Sequence, residues 1–289
     1  MHLLQFFLVA LLATFVAPFS SAAQQSGTPA PLTGTLTDER GLPLAYVSVG
    51  IPGTTVGSVS DERGQFTLFF GKDTGPADSV RFSLLGYRPR TLTVADLQTR
   101  LAAGPLHLAE EARTLGEVMV LGKQLRRGNV GSDNADTRMN TNFAIGEKPR
   151  QNLGAEVGRK FNLPRGACRL ETYRFYVQTN FDSVRFRVNV YSARNFRPLL
   201  TQNLYVTVPG KRRAWVEVDL AKFDVVVNED VVVSVQWVDQ VGTGNHLSLP
   251  IQMPTTTIHY YKYGSQDRWR KFVGMTTAMN LSYACEPQS

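Results

Sequence analysis

The feature that most constrains this chain of 289 residues is a turn sequence that occurs twice within a short stretch. Asp-Glu-Arg-Gly occupies residues 38–41 and again residues 61–64, and runs of alternating apolar and polar residues flank each copy. Glycine permits a positive φ and an aspartate carboxylate accepts backbone hydrogen bonds locally, so each tetrad predicts a tight turn. Alternation with a period of two predicts strands, and the stretch from Leu32 to Phe69 therefore indicates a small β-sandwich.

The aspartates of the two turns allow an alternative, which is calcium binding. One carboxylate per turn supplies few oxygen ligands for a hard cation, so we expect Asp38 and Asp61 to cap their own turns. In the strand predicted between the turns, Ala45, Val47 and Val49 form a small apolar set that suits the interior.

Several motifs across this region resemble those of the carboxypeptidase regulatory-like domain. The matching residues are Gly34, Asp38, Gly41, Pro43, Leu44, Ala45 and Val47 in the opening motif, Asp61, Gly64 and Phe66 in the second, Gly86 and Tyr87 in a hairpin, and Leu115–Val120 in the closing strand. The resemblance covers residues 32–121 and implies a seven-stranded β-sandwich of immunoglobulin-like shape without a peptidase site. Such domains occur beside metallocarboxypeptidase domains, at the front of TonB-dependent outer-membrane receptors, and in other exported proteins.

The first 23 residues have the pattern of a secretory signal peptide. An apolar core from Leu3 to Val16 precedes small residues at 21–23, which predicts cleavage after Ala23. A membrane anchor is the alternative, but the run is short and no later segment is apolar enough to span a bilayer. Residues 24–31 are rich in Ser, Gly, Pro and Gln and predict a flexible lead-in. We therefore expect an exported protein that is periplasmic, associated with the outer membrane, or secreted.

The formal charge of +7 allows attraction to acidic glycans, lipid head groups or nucleic acid. Export argues against nucleic acid as a partner.

The second half of the chain also predicts β-structure. Residues 122–165 are mostly polar and predict a linker. Residues 166–289 contain about nine strand-like runs separated by polar turns, including a predicted hairpin turn at 209–213, which is typical of an antiparallel β-sandwich or jelly roll. From Val184 to Val190 the alternate apolar residues are expected to point inward, so that Arg185 and Arg187 point outward. This half resembles the C-terminal region of exported bacterial proteins that carry the same regulatory-like domain.

The two cysteines, Cys168 and Cys285, bracket the predicted C-terminal domain. In an oxidising compartment such a pair is a disulfide candidate, and two buried free thiols are the alternative.

A search for catalytic motifs finds one pattern to consider, the H-x-x-E formed by His107 and Glu110, with His246 and His259 further along. A catalytic zinc ion needs three such ligands to converge, whereas alternation about His107 places it on a strand, pointing away from the core. The sequence has no G-x-S-x-G elbow and no phosphate-binding loop. We therefore predict no catalytic residue, no metal site and no cofactor.

A binding surface is the remaining candidate, because aromatic rings on a β-sandwich can hold sugars and arginines can contact anions. The candidate ligand-binding residues are His259, Tyr261, Tyr263, Trp269, Arg185 and Arg187. The alternative is that the rings pack into the core or the domain junction and that the arginines lie on a solvated strand face.

These observations predict a non-catalytic binding or scaffolding module at the bacterial cell envelope, whose partner is a glycan, a peptide or a protein. Two alternatives stay open at this point. One is an accessory of TonB-dependent outer-membrane uptake, and the other is a hydrolase with an unrecognised site.

Overall fold

The computed structural model describes residues 31–111, 121–122, 124–143 and 152–287. The predicted signal peptide, nearly all of the lead-in and the predicted closing strand at Leu115–Val120 lie outside the described residues. The described part is built almost entirely from β-strands, so the predicted all-β class is confirmed. No helix in this part is both long and apolar enough to cross a membrane.

Residues 31–111 form the N-terminal body, which has its own apolar core. Its strands are β1 Leu32–Thr37, β2 Ser48–Gly50, β3 Gly57–Val59, β4 Gln65–Leu68, β5 Ser79–Ser83, β6 Arg90–Thr93 and β7 Leu106–His107. They form two sheets, in the orders β4-β1-β7 and β3-β2-β5-β6. These seven strands lie within residues 31–111 and do not include the closing strand that the family resemblance implies at Leu115–Val120, which is outside the described residues.

The two Asp-Glu-Arg-Gly turns have the same geometry, as predicted. Asp38 Oδ1 accepts hydrogen bonds from the backbone N–H groups two and four residues further on, at 2.9 and 2.7 Å. Asp61 Oδ1 makes the equivalent bonds at 2.9 and 2.8 Å. Gly41 and Gly64 have positive φ values of 82° and 74°, which explains the need for glycine at the end of each tetrad.

One helix, α1 Val94–Ala102, was not expected from the sequence. Thr93 caps it by accepting a hydrogen bond from the backbone N–H of Asp96 at 3.0 Å. Val94 and Leu97 bury one side of the helix in the N-terminal core. The cap and this apolar spacing are the available sequence signals, but they are weak in a helix of nine residues.

The described residues from 121 to 287 form the C-terminal body. Its strands are β8 Arg126–Gly131, β9 Met139–Asn142, β10 Glu156–Phe161, β11 Cys168–Thr179, β12 Ser183–Ser192, β13 Leu204–Pro209, β14 Arg212–Asp219, β15 Val226–Val227, β16 Val231–Val241, β17 Leu247–Gln252, β18 Ile258–Lys262, β19 Arg270–Val273, β20 Thr276–Thr277 and β21 Met279–Cys285.

Two sheets pack face to face in this body. The six-stranded sheet has the order β13-β12-β16-β10-β18-β19. The eight-stranded sheet has the order β20-β17-β11-β21-β8, with β14 and β15 also paired to β11 and β9 paired to β17. The inward residues Val184, Phe186, Val188 and Val190 are buried in the core, as the alternation predicts.

The linker predicted over residues 122–165 is wrong as a structural assignment. Three strands lie within this range: β8 pairs with β21, β9 pairs with β17, and β10 lies between β16 and β18. The sequence does not reveal these strands because β8 and β9 are largely exposed and have few apolar residues, while β10 buries the charged Glu156 and Arg159. Their apolar patterns are therefore too weak to be read from the sequence.

The turn at 209–213 does not form a hairpin, which corrects a second prediction. It connects β13 of the six-stranded sheet to β14 of the eight-stranded sheet, so the chain crosses between layers there. The turn residues specify a reversal, but they do not specify which strands pair on either side.

Cys168 and Cys285 lie opposite each other, at the start of β11 and the end of β21. Their sulfurs are bonded at 1.99 Å, and the disulfide closes a segment with a sequence separation of 117.

Candidate functional site

A row of polar side chains crosses the outer face of the six-stranded sheet. Lys262, Glu156, Gln236 and Arg187 are consecutive register partners on β18, β10, β16 and β12. The residues that precede or follow them on these strands, such as Val157, point into the sandwich core. The row therefore faces away from that core, toward the N-terminal body.

Glu156 is the centre of this row and is only 1% exposed. Its Oε1 accepts hydrogen bonds from Asn189 Nδ2 at 2.8 Å, from Tyr191 OH at 3.0 Å and from Ser234 Oγ, while Lys262 Nζ lies 3.3 Å from its Oε2. Burial alone would raise the pKa of Glu156, but the Lys262 ammonium and the three hydrogen bonds together lower it. Glu156 is therefore held as a carboxylate.

Arg187 joins the two bodies. Its Nη2 donates to Ser48 Oγ at 2.7 Å and to Gln236 Oε1 at 2.6 Å, and its Nη1 donates to the backbone oxygen of Tyr46 at 3.1 Å. The side chain is 7% exposed, so the prediction of an outward arginine available for anions is wrong for Arg187. Alternation identified the correct face, but it does not reveal what covers that face.

Arg185, the other predicted anion contact, also binds the N-terminal body. It pairs with Glu62 and donates to the hydroxyl of Tyr46. Tyr46 has a φ of 60° and packs with the C-terminal core, its ring centroid 5.0 Å from that of Tyr205. The burial of Tyr46 and its hydrogen bond to Glu62 raise the pKa of its hydroxyl.

The loop after β18 completes the junction between the bodies. Ser265 Oγ donates to the backbone oxygen of Val49 at 2.7 Å, and Gln266 Nε2 donates to Ser83 Oγ at 2.8 Å. A Cβ on Gly57 would lie 2.8 Å from the backbone nitrogen of Ser265, so the backbones approach too closely for a side chain. The two bodies are therefore tightly docked.

A cleft of about 270 Å³ remains beside this junction, and both bodies line it. Its lining includes Arg81, Tyr87 and Glu111 from the N-terminal body and Glu156, Asn189 and Lys262 from the C-terminal body. Arg81 and Glu111 are exposed, and neither forms an ion pair with any described residue. The cleft thus presents charges of both signs together with amide and hydroxyl groups.

Three of the predicted ligand-binding rings do share one face. The ring centroids of His259 and Tyr261 are 6.3 Å apart, and those of Tyr261 and Tyr263 are 4.5 Å apart. That face points into the sandwich, where His259 is 1% and Tyr261 4% exposed. Burial lowers the pKa of His259 to about 4. His259 and Tyr261 therefore belong to the interior, and the partly exposed Tyr263 packs against it, as the alternative interpretation held.

Trp269, the fourth predicted ring, lies on the opposite face of the same sheet. Its ring stacks on Phe196 with centroids 5.4 Å apart and meets Tyr260 at 6.2 Å. Lys262 Nζ lies 4.3 Å from the Trp269 centroid and also lines the cleft. Trp269 therefore supports a cleft residue and does not form a surface with His259 and Tyr261.

The histidines do not converge. His107 lies in the N-terminal body, where its Nδ1 is 2.6 Å from Thr37 Oγ1, whereas His246 and His259 lie in the C-terminal body. Within the described ranges, no group of three His, Cys, Asp or Glu residues is placed to hold a metal ion.

Sequence reasoning missed Glu156 and Lys262, which are central to the cleft. Glu156 begins the strand Glu156–Phe161, in which polar and apolar residues do not alternate, so no clear sequence signal separates this strand from the predicted linker. Lys262 lies between Tyr261 and Tyr263 and therefore points to the opposite face of the strand, which the aromatic pattern does not mark as a site.

Comparison with known proteins identifies the N-terminal body. Residues 32–120 match the family model described as CarboxypepD_reg-like domain, so the resemblance inferred from the sequence motifs is confirmed. No curated protein sequence matches the chain.

Several solved structures are similar at low identity. The cysteine protease and lectin-like domains of Cwp84, a surface layer associated protein of Clostridium difficile, match with 10% identity and a TM-score of 0.34, over 46% of this chain and 32% of that chain. Clostridial Cwp84 after propeptide cleavage matches with 7% identity and a TM-score of 0.37, over 87% and 61%. A structure of carbohydrate-binding modules from the β-sandwich superfamily matches with 11% identity and a TM-score of 0.21, over 77% and 96%. This chain thus spans less than two thirds of either Cwp84 chain.

Proposed function

We propose that this protein is a non-catalytic binding module of the bacterial cell envelope, and that the cleft between its two bodies holds part of a glycan, peptide or protein partner. The observation that carries the proposal is that both bodies contribute charged side chains to one cleft, including Arg81 from the first and Lys262 from the second. Each body alone would have only half of the site.

The size and chemistry of the cleft favour a short polar segment. At about 270 Å³ it lies just below the usual range of small-molecule sites, so it suits one or two sugar or amino-acid residues of a longer partner. Lys262 has three donor hydrogens and gives one ion pair to Glu156, which leaves donors for a hydroxyl or carbonyl oxygen. Glu111 offers carboxylate acceptors at the rim.

The electrostatics of Glu156 support binding without catalysis. A carboxylate whose pKa is lowered by a cation and three hydrogen bonds is a poor proton donor near neutral pH. The hydrogen bonds from Asn189, Tyr191 and Ser234 also fix the orientation of Glu156, which in turn holds the Lys262 ammonium in place at the cleft. The signal peptide predicted over residues 1–23 and the occurrence of regulatory-like domains in exported proteins support an exported location.

The test begins with glycan and peptide arrays and a pull-down from envelope extracts, followed by calorimetry on any ligand found. We expect Arg81→Gln to weaken binding about tenfold, because it removes a charged contact at the cleft. Arg63→Gln removes a charge that is also exposed from a turn outside the cleft and should leave the affinity unchanged.

Two results would contradict the proposal. One is the absence of any ligand from all three screens. The other is a ligand whose affinity is the same for the Arg81→Gln and Arg63→Gln variants, or one that is cleaved on incubation with the protein.

A further inference from the structure

The outer face of the eight-stranded sheet is a second surface with features of its own. The N-terminal body covers the outer face of the other sheet, through residues such as Arg187. Among the described residues, no hydrogen bond or ion pair connects the N-terminal body to the outer face of the eight-stranded sheet. This face therefore lies on the far side of the sandwich from the cleft.

An aromatic pair lies on this face. Tyr176 on β11 and Trp215 on the edge strand β14 are register partners, and their ring centroids are 5.6 Å apart. Phe175 and Val177, which flank Tyr176 on β11, are fully buried, so Tyr176 points outward. Its register partner Trp215 points to the same side. The guanidinium carbon of Arg174 lies 5.0 Å from the Trp215 ring centroid. Both rings are partly exposed, and the adjoining Arg174 is itself paired weakly with Asp133 at 3.8 Å and Glu217 at 3.9 Å, so among the described residues the unpaired cations are those of the neighbouring groove.

A basic groove of about 520 Å³ continues from the aromatic pair along the same two strands. The next register pair is Gln178 and Arg213, and the groove is lined by Lys211, Arg212 and His246 as well. None of its lining residues is acidic.

The cations of this groove are largely uncompensated. Within the described part of the chain, neither Arg212 nor Arg213 has a carboxylate partner. Lys211 Nζ is 3.9 Å from Asp182 Oδ1, with both side chains exposed, which is a weak pair. The groove therefore carries a concentrated positive charge directly beside two aromatic rings.

We propose that this face binds an acidic oligosaccharide, a chain of sugar rings that carry carboxylates. Guanidinium groups bind carboxylates through paired hydrogen bonds, and aromatic rings pack against the apolar faces of sugars. Two residues along a strand span about 7 Å, so a sugar over Tyr176 and Trp215 places a neighbouring carboxylate within reach of Arg213. A neutral glycan would leave the cations without counter-charges.

This inference goes beyond the proposed cleft function and is independent of it. The probe is the hexamer of galacturonic acid, with titration monitored by calorimetry on the whole protein at about 50 mM salt. We expect binding that the double substitution Arg212→Gln/Arg213→Gln weakens at least about tenfold, because it removes two charge-assisted contacts. The matched control is Arg63→Gln/Arg100→Gln, which removes two exposed arginines from the N-terminal body.

A second variant tests the rings. Trp215→Ala should weaken binding of the hexamer by about tenfold, while Trp215→Phe should retain most of it, since stacking adds a contribution of about this size. Thermal unfolding of each variant establishes that it is folded. If Trp215→Ala does not fold, the Arg212→Gln/Arg213→Gln variant still tests the proposal, because both arginines are exposed.

Several outcomes would overturn the proposal. They are a hexamer affinity unaffected by the double arginine substitution, equal affinity for the methyl-esterified hexamer, and equal or tighter binding of single-stranded DNA or of phosphatidylserine vesicles. Loss of hexamer binding in Arg81→Gln would also overturn it, because that result would assign the ligand to the cleft. Conversely, hexamer binding that depends on Arg212 and Arg213 would support the basic groove as a site even if the screens for a cleft ligand find none.

Discussion

Arg187 Nη2 lies 2.7 Å from Ser48 Oγ, and this hydrogen bond joins the C-terminal sandwich to the regulatory-like domain at a buried position. The same guanidinium binds Gln236 on its own sheet and the backbone oxygen of Tyr46 on the other body. One side chain therefore satisfies acceptors from both bodies. Its neighbour Arg185 also crosses the junction, but at a more exposed position, which offers an internal comparison.

Substitution of Arg187 by Met should destabilise the protein by about 3 kcal/mol, because buried acceptors on both bodies lose their donor. Arg185→Met should cost no more than about 1 kcal/mol, since its partner Glu62 is largely exposed and the Tyr46 hydroxyl keeps its hydrogen bond to Glu62. Differential scanning calorimetry measures both losses, and limited proteolysis reports loosening of the junction. Equal losses of stability for the two variants would show that the buried contacts of Arg187 stabilise the junction no more than the exposed contacts of Arg185 do.

The twin turns predict unequal effects of the same substitution. Gly64 has a positive φ, and a Cβ there would lie 2.3 Å from the backbone oxygen of Leu36, so Gly64→Ala should cost about 3 kcal/mol or more. Gly41 also has a positive φ, but no atom lies within 4 Å of an added Cβ, so Gly41→Ala should cost about 1 kcal/mol. Urea unfolding monitored by fluorescence measures both values. Similar losses at the two positions would contradict the close approach to Leu36.

Stability should fall in mildly acidic solution because His259 is buried in its neutral form. Its pKa is about 4 in the folded protein against 6.5 when exposed, so the unfolded chain binds the extra proton first as the pH decreases. The free energy of unfolding should therefore decrease by about 2 kcal/mol between about pH 7 and pH 4.5 through this group alone.

The comparison that isolates His259 is with His259→Leu, which cannot be protonated. The pKa values of Glu62 and Glu156 are lowered, so these carboxylates remove stability only as the pH falls below the ordinary glutamate value of 4.5. The difference between wild type and variant in the pH dependence of the unfolding free energy therefore measures the contribution of His259. Parallel curves for the two proteins would mean that the imidazole is not buried.

The disulfide between Cys168 and Cys285 should stabilise the C-terminal body by about 4–5 kcal/mol, because it closes a long loop in the unfolded chain. The double substitution Cys168→Ala/Cys285→Ala should lower the unfolding free energy by that amount. Reductant during unfolding should destabilise the wild type and leave the double variant unchanged. An unchanged midpoint in the double variant would exclude a stabilising bond.

Local features were predictable from the sequence for a common physical reason. The Asp38 and Asp61 turns depend on residues within four positions of each aspartate, and the burial of Val184 to Val190 depends on the period of a single strand. Neither requires knowledge of the rest of the fold. The family match at residues 32–120 confirms the resemblance that the motifs of this region indicate.

The candidate site was much less predictable. Arg185 and Arg187 were correctly placed on the outer face of their strand, yet the face is covered by a domain distant in sequence. His259 and Tyr261 were correctly placed on one face, but the choice between interior and surface depends on the opposing sheet. Glu156 is not predictable as a site residue because its strand lies within the polar segment that the sequence predicts to be a linker.

By itself, the sequence determined an all-β protein with a regulatory-like domain, its glycine turns and the inward face of its most regular strand. These properties depend on backbone chirality and on periods of two, which act within a few residues. Only the tertiary structure decided which strands pair and that three strands from the polar segment 122–165 join the C-terminal sheets. It also decided that the N-terminal body covers the outer face of the six-stranded sheet and not that of the eight-stranded sheet. Those outcomes depend on the combined free energy of contacts between residues far apart in the chain, which no local pattern contains.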